Sequence, residues 1–181
     1  MRGKYAPVPK TGQTTPSDTG TDGALKKGVA WLTPRFTDNL NGTVTDKLTK
    51  LIWMKNASNV SAVGFGVKTW ADALTAAATV ANNSFGLTDG SKAGDWRLPN
   101  VRELQSLIDY AFYSPALPNT LGTGKWEEGN PFQGVQSSYY WSSSTYAFYT
   151  PYAWYVNFYD GDVAYNDKGN SYYVWCVRGG K

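Results

Sequence analysis

The sequence predicts an α+β domain with two helices and small antiparallel sheets. Three observations point there. Two segments with helical apolar spacing come first, and a run of short strands follows. Those strands are bounded by Gly, Asn and Asp turn residues. Aromatic residues crowd the C-terminal quarter, where 15 of the last 45 residues are aromatic and 10 of the 13 tyrosines lie.

The elements follow in chain order. Residues 1–28 are rich in Thr, Gly, Pro and Ser and read as an extended lead segment laid on the domain, or as a linker. Met1-Arg2-Gly3-Lys4-Tyr5-Ala6-Pro7 holds no apolar signal core. The domain proper occupies 29–181. Arg35-Phe36-Thr37-Asp38 and Thr43-Val44-Thr45-Asp46 form a hairpin, with Asn41-Gly42 supplying the positive φ angles of its turn. Counting back from Gly42 puts Thr37 where a calcium loop needs its first carboxylate, so that pattern fails. Leu51-Ile52-Trp53-Met54 is a buried strand. Residues 69–82 form a helix capped by Thr69, with Trp70, Ala73, Leu74, Ala77, Ala78 and Ala81 along one stripe. Asp95-Trp96-Arg97-Leu98-Pro99 is extended, because the residue before proline avoids helix. Residues 100–111 form the second helix, with Asn100 and Glu103 as a capping box. Asp95, Arg97 and Arg102 are placed to form an ion pair that fixes it. Residues 112–138 are a long loop.

The last strands are Tyr139–Ser143, Ala153–Tyr159, Asp162–Tyr165 and Tyr172–Arg178, with Asp160-Gly161 as a turn. Period-two alternation sends Trp154, Val156 and Phe158 to a core face with Val163. Tyr155, Asn157 and Tyr159 point outward with Asp162 and Ala164. Tyr165 is expected outside with them, as the odd-numbered tyrosines share one docking face. Trp53, Trp70, Trp96, Trp141 and Trp154 are read as core.

Composition excludes several chemistries. The 181 residues contain no histidine and one cysteine, Cys176. Histidine-based nucleophile systems and metal sites are therefore absent, as are internal disulfides and cysteine zinc sites. The net charge is +3 with no Lys/Arg run, which does not indicate nucleic-acid binding. No stretch approaches the ~18 apolar residues of a spanning helix, so no membrane insertion is expected. Glu127-Glu128 reads as solvated loop, and no cofactor or catalytic residue is assigned.

Two stretches carry a family resemblance. Residues 35–46, Trp53-Met54, Thr69–Ala73, Asp95–Leu104 and Tyr140-Trp141-Ser142-Ser143 resemble, in order, the C-terminal domain of a bacterial collagen-like adhesin. Ala153–Phe158, Gly161, Val163, Lys168, Tyr173-Val174 and Cys176-Val177-Arg178 resemble the variable region of proteins diversified by retroelements. That resemblance implies a C-type-lectin-like fold with varied residues on a ligand-binding surface, about residues 145–178. Such elements alter adenines, typically in asparagine codons. Tyr155, Tyr159, Asp160, Asp162, Ala164, Tyr165, Asn166, Asp167, Gly169, Asn170, Ser171 and Tyr172 are all reachable that way, and none is Lys, Glu, Gln or Met. Trp175 sits where the family often has arginine. The adhesin-type domains often pair a helix cysteine with the last-strand one. The matching position here is about Ala77, so Cys176 is a lone buried thiol.

The expected function is non-enzymatic binding of a protein or glycan ligand. The expected ligand-binding residues are Tyr155, Tyr159, Asp160, Asp162, Ala164, Tyr165, Asn166, Asp167, Asn170, Tyr172 and Trp175, extended by Tyr146, Phe148, Tyr149 and Tyr152. Tyrosine gives rigid contact area and Asn or Asp gives adaptable hydrogen bonds. A fixed-specificity carbohydrate-binding adhesin is the alternative. The formylglycine-generating enzymes share the broad fold but use more than one active-site cysteine. No metal is assigned. A surface-exposed location, on a cell or a virion, is expected.

Overall fold

The computed structural model describes residues 8–58 and 66–180. The segment read for a signal core lies outside them. The first antiparallel sheet contains β1 (Phe36–Asp38), β2 (Thr43–Asp46), β3 (Ile52–Met54) and β7 (Val177–Arg178), in the spatial order β1-β2-β3-β7. The second contains β4 (Tyr139–Thr145), β5 (Tyr152–Asn157) and β6 (Val163–Asp167), in that order. With helices α1 (Asp22–Leu25), α2 (Trp70–Thr79) and α3 (Val101–Gln105), the class is α+β. Three helices stand where two were expected, because one turn forms inside the lead segment. No helix among the described residues is long and apolar enough to cross a membrane.

Both predicted caps are present. The Thr69 hydroxyl accepts from the Asp72 amide, and Ala73 and Ala77 are buried beneath α2. Asn100 and Glu103 bond reciprocally as a capping box. Glu103 also pairs with Arg97 at 2.7 Å, which replaces the expected ion pair of Asp95 or Arg97 with Arg102. α3 stops at Gln105, short of the predicted 111. The Leu107 and Ile108 amides bond back only three residues, and the Asp109 amide leaves for Ala116 O. Leu107 and Ile108 are buried all the same, so the apolar stripe is real while tight turns carry its end. In the β1–β2 connection the positive φ angles fall on Leu40 and Gly42, not Asn41. A Cβ on Gly42 would sit 2.5 Å from Gly86 O, so the close approach itself requires glycine.

The segment 172–178 is not one strand. Tyr173 bonds Tyr139 O and Trp141 N on the second sheet, while Cys176 O accepts from Met54 N on the first. Val177 pairs with Trp53. The chain's end thus ties the two sheets together, and Trp175 fills the joint. Its ring lies 4.8 Å from Phe132 and 5.6 Å from Trp53, and its indole donates to Met54 O. Phe132 and its loop neighbours Ala116, Leu117 and Val135 are buried, so the long loop closes the core. The lead segment pairs with Val29 through Val8 and Lys10, and Thr11 O accepts from Tyr110 N.

Arg35 and Asp46 form an ion pair at 3.2 Å with both side chains sealed from solvent. The guanidinium lies over the rings of Trp31 and Phe36. Trp53, Trp96 and Trp141 are buried as predicted. Trp70 is partly buried and packs against the core, as expected, whereas Trp154 is only partly buried. Cys176 is a free, buried thiol, and burial pushes its ionisation up.

Candidate binding surface

The cross-strand register decides which side chains meet. β5 and β6 pair Trp154 with Tyr165, Tyr155 with Ala164, and Ala153 with Asn166. β4 and β5 pair Tyr139 with Asn157, Tyr140 with Val156 and Trp141 with Tyr155. Residues opposite one another share a face. One face therefore carries Tyr139, Trp141, Tyr155, Asn157, Ala164 and Asn166. The other carries Tyr140, Trp154, Val156, Val163 and Tyr165. This corrects the expected single face of odd-numbered tyrosines. In this hairpin each odd residue of β5 opposes an even residue of β6, so Tyr165 lies with Trp154 and away from Tyr155.

On the first face Tyr139, Tyr155 and Tyr172 form a mutual cluster, with ring centroids 5.0, 5.1 and 5.2 Å apart. Trp141 lies beneath, 4.4 Å from Tyr172, and is fully buried. The Asn166 amide donates to the Tyr172 hydroxyl at 2.6 Å, and Asn170 donates to Asn166 Oδ1. Partial burial raises the Tyr155 phenol's ionisation, and Tyr172, Tyr139, Asp162 and Asp160 raise it further. Tyr172 is raised by burial, with the Asn166 bond opposing. Both phenols stay neutral and available for hydrogen bonding. Asp160 and Asp162 are exposed at the turn, where Asp160 Oδ1 accepts from the Asp162 amide.

On the second face the rings of Tyr146 and Tyr165 are stacked, and Trp154 meets both edge-on at 5.5 and 5.4 Å. Tyr152 packs on Tyr165 and Tyr149 on Tyr152. Phe148 is 89% exposed at the tip. The register of β4 shifts between Trp141 and Thr145, and Ser142 bridges the irregularity by donating to Trp154 O. A bulge bends its strand, and beyond it Ala153 is buried while Trp154 is left half-exposed.

The remaining candidates divide further. Tyr159 lies past the end of β5, against Tyr113 of the long loop at 6.2 Å. Asp167 is exposed, and its Oδ1 caps the following turn by accepting from the Gly169 amide. Trp175 is fully buried, so it is removed from the ligand-binding set. Tyr139 is the residue that sequence reasoning missed. Its signal is its alternation with Tyr140: Tyr139 is exposed and Tyr140 buried. Among the described residues no group of three or more carboxylate, cysteine or histidine side chains is placed to hold a metal.

A family model described as the Lcl C-terminal domain matches residues 42–178. The match spans β2 to β7 and contains both aromatic faces. A search of curated proteins finds no match to the chain.

Proposed function

The chain belongs to the Lcl C-terminal domain family, and from that premise we propose that it is a non-enzymatic binding protein displaying a diversified surface on the β4–β5–β6 sheet. Family membership supports a variable-protein or adhesin-like binding domain. The observation that carries the finer reading is the cluster of Tyr139, Tyr155 and Tyr172. Three phenols are fixed ring against ring on a buried tryptophan, while Tyr139 is 41% exposed. Anchors already held in place lose little side-chain freedom on binding. Asn157, Asp162, Ala164 and Asn166 surround them on the same face and add adaptable polar contacts.

Diversification suits this layout. The adenine-reachable residues lie on β5, on β6 and in the turns that follow them, whereas the buried Val156, Phe158, Val174 and Trp175 hold the scaffold. Exchange at solvent-facing positions costs within about ±0.5 kcal/mol in most cases. Such a display surface belongs outside a cell or on a virion.

Two measurements test the reading. The DNA around the gene should contain a near-copy of the codons for 145–178 that differs at adenines, beside a reverse transcriptase gene. A library varied at 155, 159, 162, 164 and 166 should stay folded, with small losses of melting temperature where Tyr155 is replaced, while its members bind different ligands. Uniform binding across that library, or general unfolding, overturns the proposal.

A further inference from the structure

β6 is the edge strand of its sheet. The bonds at the two ends of its hairpin set which backbone groups point where. Asn157 N donates to Asp162 O, and Lys168 N donates to Pro151 O. Antiparallel pairs alternate between bonded and non-bonded, so between these ends Ala164 and Asn166 direct their groups to β5. Val163 and Tyr165 direct theirs outward. Among the described residues nothing bonds the outward N–H or C=O of either one.

Natural edges are usually blunted by lysine, proline or a bulge. β6 (Val-Ala-Tyr-Asn-Asp) has none of these, and its register with β5 is unbroken. It is bracketed by acid instead. Asp160 and Asp162 precede it and Asp167 ends it. All three are exposed, and none is in an ion pair among the described residues. The nearest cation in sequence, Lys168, places its ammonium 3.9 Å over the Trp70 ring and donates to Thr145.

We propose that β6 is a docking edge, and that the partner adds an extended, basic segment of its own chain as a fourth strand. This rests on the binding reading above and names its mode and partner class. Backbone pairing at Val163 and Tyr165 supplies the affinity, and alternate side chains of the added strand meet the two faces. Those on one face reach Ala164 and Asn166, next to Tyr155 and Tyr172. Those on the other reach Val163 and Tyr165. Lysine or arginine at the ends of the segment meets the three aspartates, and guanidinium groups also suit phenol faces. A second copy suits the edge less well, because its own β6 brings the same three aspartates rather than a basic end.

The probe is a synthetic peptide whose sequence is selected from random linear peptides displayed on phage and panned on the intact chain. The expected peptide is rich in arginine or lysine. It slows hydrogen exchange at the Val163 and Tyr165 amides, and it binds about tenfold weaker or worse when its own pairing amides are methylated. Val163→Pro removes an outward donor without removing a bond to β5, so it should weaken binding about tenfold, with a modest loss of melting temperature from the packing of Val163 on the core. If that variant fails to fold, the exchange pattern and the methylated peptide decide. The proposal is overturned if no peptide is selected, if the peptide leaves both amides unprotected, or if it is acidic. A peptide that is lost on Tyr155→Ala or Tyr172→Ala without amide protection removes edge pairing and leaves face binding standing. A ligand indifferent to both the edge and these tyrosines removes both readings, and binding confined to glycans without amide protection removes the edge alone.

Discussion

The phenol rings of Tyr146 and Tyr165 lie 3.9 Å apart and within 5° of parallel. The contact holds the connection after β4 against β6, with Trp154 edge-on to both rings. Aromatic pairs contribute about 0.5–1.5 kcal/mol beyond area burial, and Tyr165 is 43% exposed. Tyr165→Ala should therefore cost roughly 1 kcal/mol, and Tyr165→Phe much less. A double-mutant cycle with Tyr146→Ala, read by urea unfolding, should show coupling between the two. Tyr159→Ala, which removes an exposed ring touching Tyr113, should leave the midpoint nearly unchanged. A loss on the scale of a core truncation at either site contradicts a display role.

Gly161 fixes where the binding hairpin sits. Its φ is +88°, and a Cβ there would stand 2.6 Å from Ile108 Cγ2 and 2.9 Å from the Tyr110 ring. Tyr110 also donates to Gly161 O. The turn is pressed onto the residues that follow α3. Gly161→Ala combines a strained left-handed backbone with overpacking, and should cost about 2–4 kcal/mol. Thermal and urea unfolding measure the loss. Gly169→Ala is the control, because the φ of Gly169 is outside the left-handed range and among the described residues a Cβ there would meet the Asp167 carboxylate alone, 3.0 Å away. A similar loss in both variants contradicts the anchoring role of Gly161.

The buried Arg35–Asp46 pair organises the sheet next to the core. Asp46 Oδ2 accepts from Arg35 and Thr49, and its Oδ1 accepts from the Leu48 amide. Arg35 also donates to Ser106 O, which links β2 to the end of α3. Removing one partner leaves a buried charge uncompensated. Asp46→Ala should therefore cost about 3–5 kcal/mol. Replacing both partners, Arg35→Met with Asp46→Leu, should cost less than Asp46→Ala alone. Urea unfolding of the three chains checks the order, and additive losses would deny the coupling.

Local signals in the sequence are enough for the caps and for most of each apolar stripe, although α2 ends at Thr79, before Ala81, and Ala78 and Ala111 are exposed. Thr69, Asn100 and Glu103 act within one turn of themselves, so their roles do not depend on the rest of the fold. The faces of the aromatic hairpin are half legible. Alternation along β5 correctly separates Tyr155 and Asn157 from Val156, but which residue of β6 lies opposite depends on the turn. Alternation from Ala164 sets Tyr165 with Val163, as found, and it is the grouping of all odd-numbered tyrosines across the turn that puts Tyr165 on the wrong face. Trp154 escapes the same reasoning because the irregularity in β4 has no sequence mark beyond a run of serines. Trp175 does so for a longer-range reason. Its burial comes from Phe132 and Trp53, both far away in sequence, and no local pattern reports such a joint. The pairing of Arg35 with Asp46 and the closure of the core by Phe132 are non-local in the same way.

Asp109 makes stability depend on pH in an unusual direction. Its side chain is 2% exposed and lies against Gly12 of the lead segment. Burial pushes its pKa up to about 6, while the Ala111 amide and the charge of Arg35 pull it partly back. An unfolded aspartate titrates near 3.9. Between about pH 4 and pH 6 the folded chain therefore holds a proton that the unfolded chain has released, and stability falls as pH rises through that window. The gap between the folded and unfolded values corresponds to something on the order of 2–3 kcal/mol. Asp38 and Glu103 act in the opposite sense. Burial works to raise both, but Lys55 holds Asp38 low and Arg97 holds Glu103 low. Their stabilisation is present above the unfolded carboxylate range and is lost only below about pH 4. Asp109→Asn keeps an oxygen for the Ala111 amide and stays neutral throughout. It should flatten the decline between about pH 4.5 and about pH 7.5 and leave the variant more stable than the parent near neutrality. Urea midpoints for both chains at the two pH values measure this, and an undiminished decline in the variant assigns the effect to another group.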